Sequence, residues 1–439
     1  MRSVQVVAHH AWDTVEPLRA ELDALNLASR RPCPFATFEY LRALDAHDEY
    51  RRPGDQLLFL AALEAGKLVG YLPLRRRRHR ILGVGLAHLG VLADHDTDRP
   101  HVVAAAEDEA GCSEAFYRHL VEREPGWAVL ELLFQDEASA LARPPALPPG
   151  RFHVRHFENM PNTTVPLPFA TLEAYFRSLS SSHRNSVARF ARRLFKEGRV
   201  EVLWSGDAAG RRPLLDLYLD VERRSWKAAA GAGVGRDPRR VAFFRELCGP
   251  EHPLRLHFDL LLLDGLPIAG MFGGAFAGGF FALETTFDEA YDRFSPGQLL
   301  WLMAFAQAIK QGAHSYNLDG NYAYYKQRWG GVVTPTAALQ IYRVGTLPWL
   351  KARGGELRRR LWPAAAAPEL SNPERQRAVR GEDGTGEPAA PPARPDRAPE
   401  RERARQALGA LEAGGARLDR LAGADLEAVL PFQTRTREP

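Results

Sequence analysis

Residues 284–330 read ETTFDEAYDRFSPGQLLWLMAFAQAIKQGAHSYNLDGNYAYYKQRWG, and the order of elements in this stretch decides the architecture. A strand ends near Thr285, the polar loop FDEAYDRF follows, and Ser295-Pro296-Gly297 opens a helix. Serine suits a cap, and proline suits the first turn, where its missing N–H would have no intrahelical partner. QLLWLMAFAQAIKQG continues as that helix, HSYNLDG returns as a strand, and another helix starts near Tyr325. Upstream, RLHFDLLLLDG, LPIAGMFGGAF and GFFALETTFD are three apolar runs separated by Gly and Asp turns. Strands in series, then helix, then strand, make an α+β layer around one sheet.

The rest of the chain falls into zones around this one. The 439 residues exceed one small module, and 45% hydrophobic with 26% charged residues is the composition of a chain that buries cores. Residues 1–155 run as helix, strand, strand and helix, with a hairpin at Glu64-Ala65-Gly66-Lys67, and close on the proline-rich LARPPALPPG. Residues 160–348 form the second zone. From residue 351 the chain turns to Ala, Pro, Arg and Glu with few aromatics, the composition of a disordered or loosely helical tail. Leucines at roughly helical spacing between Arg401 and Leu430 mark a weak helix or a docking segment within it. Residues 266–283 carry no charge and contain GxxxG pairs at Gly270, Gly274 and Gly278, which touches the lower limit of a membrane span. Pro267 and the Ala277-Gly278-Gly279 break make them a β-hairpin instead.

The net charge of +4 is too small for a nucleic-acid binder, so partners must be read from local clusters. Arg75, Arg76, Arg77, Arg78, His79 and Arg80 are either a solvated strand end or a patch for a membrane surface or protein partner. Cys33, Cys112 and Cys248 have no ligand spacing, no HExxH or GxxxxGK[ST] motif occurs, and the amino terminus lacks a signal-peptide core. These features predict a cytoplasmic chain with no metal and no transmembrane segment.

Chemistry concentrates at the loop-helix junction. Gly297 leaves main-chain N–H groups of the first turn unobstructed, Arg293 stands beside them, and the helix dipole adds positive potential, so the turn suits a pyrophosphate. Glu284 sits just before the loop: half-buried, its pKa would rise toward neutrality and fit it as a base, or it pairs with an arginine. Beyond the helix come Asp319, Tyr322, Tyr325, Lys326 and Trp329, either a site or a capped helix with packing aromatics. Tyr325 is placed to protonate a leaving group, Asp319 to orient or deprotonate an acceptor, and Lys326 to hold an anionic group. Arg184, with Arg192 and Arg193, supplies guanidinium forks for a phosphate or carboxylate, or else a solvated helix face.

The same stretch resembles the closing half of GNAT-like acyltransferases, and most of all the subgroup found with cellulose and exopolysaccharide synthesis genes, related to FemAB-type transferases. LSSSHRNSVARFARRLFKEG, the helix ending SWKAAAG, PFATFEYLRA and GYLPLRRRRHR extend the resemblance over residues 33–345. It implies two tandem GNAT-like domains, each a mixed sheet flanked by helices, the first without cofactor and the second holding acyl-CoA, acetyl-CoA foremost. The implied pyrophosphate contacts are Phe294, Ser295, Pro296, Gly297 and Gln298, although the loop is poorer in Gly than the family's. Trp226 and Lys227 resemble the family's acceptor-side pair, and the acceptor implied is an amine or hydroxyl on a small molecule, sugar or lipid. Two alternatives remain: a FemAB-like transfer from aminoacyl-tRNA, and a non-catalytic member that binds a polysaccharide-assembly complex.

Overall fold

Fourteen strands form a single sheet in the computed structural model, which describes residues 4–48, 51–81, 84–94, 97, 102–320, 324–361 and 397–422. In chain order they are β1 (Val4–His9), β2 (Gln56–Glu64), β3 (Lys67–Ile81), β4 (Val84–Val91), β5 (Val103–Ala104), β6 (Trp127–Asp136) and β7 (Phe152–Pro166). The series continues with β8 (Val200–Ser205), β9 (Arg255–Leu263), β10 (Leu266–Phe276), β11 (Gly279–Phe287), β12 (Ser315–Gly320), β13 (Val332–Arg343) and β14 (Asp419–Ala422). Across the sheet the order is β1-β2-β3-β4-β6-β13-β7-β12-β11-β10-β9-β8-β14, with β5 paired to β3.

The order reads the same way from β1 and from β8 toward the middle. On each side an antiparallel series leads to one parallel pair, β4 with β6 and β11 with β12. The last strand of each side is exchanged: β13 pairs with β6, and β7 pairs with β12. A long antiparallel ladder from Val332↔Thr164 to Arg343↔Phe152 joins the exchanged strands. The proline-rich 141–150 lies between β6 and β7, where four prolines with no N–H to donate cannot extend a ladder.

Local turn chemistry accounts for the hairpins. Ala65-Gly66, Asp264-Gly265 and Ala277-Gly278 all have positive φ at both positions, the conformation whose twist matches that of the strands. Glu64↔Lys67, Leu263↔Leu266 and Phe276↔Gly279 are the closing pairs. Residues 266–283 are therefore β10 and most of β11. Among the described residues no helix is long and apolar enough to cross a membrane.

Helices cover both faces. Pro296–Lys310 and Ser181–Phe195 pack with Leu261, Met271, Ala282 and Tyr316 on one face of the second side. On the other face, Ala208–Glu222 and Pro238–Leu247 share a core with Phe38–His47 from the first side. Tyr40 meets Phe243 at 5.4 Å and Phe35 meets Phe281 at 5.8 Å, so the two sides bury each other's aromatics. Each such side chain contributes about 2–3 kcal/mol when withdrawn from water.

Two expectations change here. The arginine run is not a free patch. Arg75 is only 2% exposed and pairs with Asp45 at 2.8 Å and with Asp48. Arg76 pairs with Glu124 and Arg77 with Asp48 at 3.2 Å, so carboxylates answer Arg75 to Arg77, and among the described side chains of the run only Arg78 is exposed. The side chains of His79 and Arg80 lie outside the described residues. The second change concerns the tail. The helix Leu347–Leu361 runs through its expected start, and Ala398–Ala413 is a helix whose Ala404, Leu408 and Leu411 are buried. Spacing of four and three residues puts them on one stripe, enough to dock the helix although the composition around it is polar. Strand β14 then completes the sheet edge beside β8.

Candidate functional site

Strands β11 and β12 run parallel but pair only at Gly279↔Ser315, Phe280↔Tyr316 and Phe281↔Asn317. Beyond Phe281 they part, and β11 continues to Phe287 paired with β10 only. A bulge helps to part them: Phe272↔Glu284 is followed by Gly273↔Ala282, leaving Leu283 as an extra residue on β11. On β12 the register with β7 slips between Asn317 and Gly320, around Asp319 at φ +64. The result is a wedge between two strands, opening toward the turn Glu289–Phe294 and the helix Pro296–Lys310.

The turn is less open than its sequence suggests. Ser295 donates its main-chain N–H to the Asp292 carbonyl at 2.8 Å, Gln298 donates to the Ser295 carbonyl at 2.9 Å, and Pro296 has no donor. Gly297 is the exception: its N–H has no partner among the described residues, and a Cβ there would meet nothing within 4 Å. Ser295 does not cap with its side chain. Its φ of +44 and ψ of +56 replace the extended conformation from which a serine oxygen reaches the next amides. Gln298 has a buried Oε1 with no hydrogen-bond partner among the described residues. Phe294 is buried, with Arg293 stacked over its ring at 4.6 Å and 3.7 Å from Glu197, so the charge of Arg293 is shared. The first turn contains no acidic residue.

Glu284 occupies a buried charge cluster. Its carboxylate accepts from Lys227 Nζ and from Arg240, which holds the other oxygen. Burial alone would raise its pKa, but the two cations outweigh burial and keep it below the ordinary carboxylate range. The raised pKa expected from its half-buried position is therefore reversed, and the arginine-paired alternative describes its environment. Lys227 stands on the short helix Trp226–Ala230, where Trp226 is half-buried.

Asp319, Tyr325 and Lys326 also come together. Lys326 is buried and donates to the Asp319 carbonyl at 3.0 Å. Tyr325 is 41% exposed, and its phenol is pushed up to about 12 by burial of its surroundings and by Asp319. Tyr322 lies outside the described residues. Trp329, expected beside the acceptor, is 0% exposed and packs on His183 at 4.4 Å and Phe305 at 5.4 Å, too deep for any ligand to touch. Arg184 is drawn back to cap the preceding helix, donating to the carbonyls of Arg177 at 2.9 Å and Leu179.

At the root of the wedge, Phe281 and Asn317 also line a cavity of about 330 Å³ between the two sides of the molecule. Its far wall carries Arg30, Arg31, Glu109 and Asp136, with Arg30 3.7 Å from Glu109 and Arg31 paired to Asp136. Sequence reading missed this wall and Arg240. In RRVAFFRELC nothing separates the buried Arg240 from the exposed Arg239, because only the tertiary contact to Glu284 does so.

Residues 181–327, which contain the wedge, the turn and both clusters, match the family model described as an acetyltransferase (GNAT) domain. No curated protein matches the chain. Among solved structures, FemX aligns at 11% identity over 79% of this chain and 99% of its own, with a TM-score of 0.51. A tandem GNAT protein from the clavulanic acid biosynthesis pathway aligns at 14% identity over 78% and 99%, with a TM-score of 0.41. The C-terminal domain of a putative lysylphosphatidylglycerol synthetase from Agrobacterium fabrum aligns at 12% over 77% and 97%, with a TM-score of 0.45. The fold is thus mixed α+β with helices flanking a mixed sheet, and the stretch that matches the GNAT acetyltransferase model lies on its second side.

Proposed function

We propose that the chain is an acyltransferase that moves an acyl group from acyl-CoA, acetyl-CoA foremost, to an amine or hydroxyl on a small molecule, sugar or lipid. The observation that carries this is the wedge between β11 and β12, which opens onto a helix start with an unobstructed Gly297 N–H and no acidic first-turn residue. Such a helix start favours a pyrophosphate, with Arg293, Phe294, Ser295, Pro296 and Gln298 around it. Residues 160–348 hold the donor and residues 1–155 complete the acceptor side, whose cavity abuts the wedge root.

In this reading the acceptor nitrogen or oxygen attacks the thioester carbonyl, the C–S bond breaks, and the acceptor's proton ends on the thiol. Tyr325 donates a hydrogen bond to the departing sulfur. It does not deliver a proton outright, because a phenol, which burial and Asp319 push further up, is a weaker acid than a thiol. Asp319 orients the acceptor, while Glu284 anchors Lys227, which with Trp226 borders the acceptor side. Much of the rate enhancement then comes from juxtaposition. An acceptor from envelope polysaccharide synthesis would meet the charge-balanced far wall of an otherwise largely apolar cavity. The non-catalytic reading draws on the single open amide of the turn. Titration calorimetry with coenzyme A separates the two: the acyltransferase binds it and loses binding on Gly297→Glu, whereas no heat at millimolar ligand removes the proposal.

A further inference from the structure

The donor turn is tied to a part of the chain more than a hundred residues downstream. Asp288 is the hinge between β11 and the turn Glu289–Phe294, and it is 1% exposed. Its N–H donates to the Ile268 carbonyl at 2.8 Å, and its carboxylate accepts from the Ala290 N–H at 3.0 Å. Two guanidinium groups share the same carboxylate: Arg224 Nε at 2.7 Å and Arg397 at 3.3 Å. Arg224 is fully committed locally, since its remaining donors go to Asp220 and to the Pro267 carbonyl. Arg397 is the residue that precedes the docked helix Ala398–Ala413.

What brings Arg397 there is the docking of the segment behind it. Ala404, Leu408 and Leu411 join the core beside the helix Ala208–Glu222, and Arg403 lies 3.8 Å from Asp220. Past the helix, Arg417 bonds Asp207 and Ser205 at 2.8 Å, and Asp419 accepts from Trp204 Nε1 at 2.9 Å. Both ends of the segment are therefore fixed, while residues 362–396 connect it to the rest of the chain. We propose that residues 397–422 act as an intramolecular brace for the donor turn, with Arg397 a positioning residue that works through Asp288.

This rests on the donor reading of the turn, but its primary readout does not. Loss of Arg397 leaves Asp288 still paired to Arg224, so the fold survives while the turn loosens. In Arg397→Ala, amide hydrogen exchange across residues 289–298 should speed up about tenfold, with exchange in β9 and β10 unchanged. Coenzyme A binding should weaken about fivefold and KM rise with it at constant kcat, and Arg397→Lys should recover part of both. Leu408→Asp, which undocks the helix without touching the ion pair, should loosen the same amides. Unchanged exchange at 289–298 in both variants overturns the brace, as does a fall in kcat at constant KM. If wild type shows no coenzyme A binding yet the exchange change appears, the donor reading fails and the brace stands.

Discussion

The two parallel pairs of the sheet occupy matching positions and differ in how far they stay together. β4 and β6 pair from Ala87↔Trp127 to Gly90↔Glu131, within one residue of the end of β4. β11 and β12 pair over the first three residues of β11 and leave the following six, 282–287, without a partner on β12. The helix after β4 starts at Glu109 behind Asp108, two carboxylates at the positive end of its dipole, whereas the helix after β11 starts with Pro296-Gly297-Gln298. One side is zipped shut and already furnished with negative charge; the other is split and offers an amide. The same architecture thus gives a closed parallel pair on one side and, where the donor site is proposed, a split one on the other, and the difference lies in a bulge and a few residues.

The largest effect should come from strand interiors. β2 reads QLLFLAALE, while its counterpart β9 reads RLHFDLLLL and buries Asp259 with no hydrogen-bond partner for either oxygen among the described residues. Burial raises Asp259 from 3.8 to about 7, and His257, 3.7 Å away, is lowered to about 4 and brings no charge at neutrality. A folded-state pKa above the unfolded one gives stability that is present in full below pH 3.8 and lost as pH rises through about 7. Asp259→Asn, which cannot ionise, should match wild type near pH 4 and exceed it by up to about 4 kcal/mol at pH 8. Denaturant melts at the two pH values check this, and the His257 contribution cancels in the difference. A parallel shift at both would sink it.

Next in size is the buried charge on the first side. Arg75→Met leaves Asp45 and Asp48 facing each other and should cost about 3 kcal/mol in a urea melt while leaving coenzyme A affinity unchanged. Equal damage to affinity would mean that the zipped side participates in donor binding. Gly297→Glu puts a carboxylate where the second side differs most from the first, and should weaken coenzyme A binding about 100-fold, about 2.7 kcal/mol, without moving the melting curve. The smallest effect expected is that of Tyr325→Phe. A hydrogen bond to the departing sulfur is worth about 1 kcal/mol, so kcat should drop about fivefold at unchanged coenzyme A affinity. A thousandfold drop would show that the phenol delivers its proton after all.

Much of this comparison was legible in the chain and some was not. The hairpins at 64–67 and 276–279 and the helix at Pro296 are written in neighbouring residues, because Gly at positive φ and Pro at a first turn act locally. The exchange of β7 and β13 is not, since pairing across 168 (Val332↔Thr164) to 191 (Arg343↔Phe152) residues leaves no short-range mark. The same limit hid the cluster around Glu284, whose partners come from two separate helices. Ser295 misled for the opposite reason: its identity fits a cap, but the tight turn before the helix forces it into the left-handed region. The arginine run misled because charge is visible in sequence, while the acids that answer it, Asp45, Asp48 and Glu124, are distant in the chain.

The exchanged strands carry a consequence for how such a molecule can be divided. A fragment ending near residue 150 would keep β6 and lose β13, exposing the ladder from Val129 to Asp136 as a bare row of amides and carbonyls, a template for self-association. The complementary fragment would keep β7 beside β12 but leave the β6-facing edge of β13 open in the same way. Either cut bares a strand edge that the other portion now covers, so the exchanged strands tie the two sides into one unit of folding.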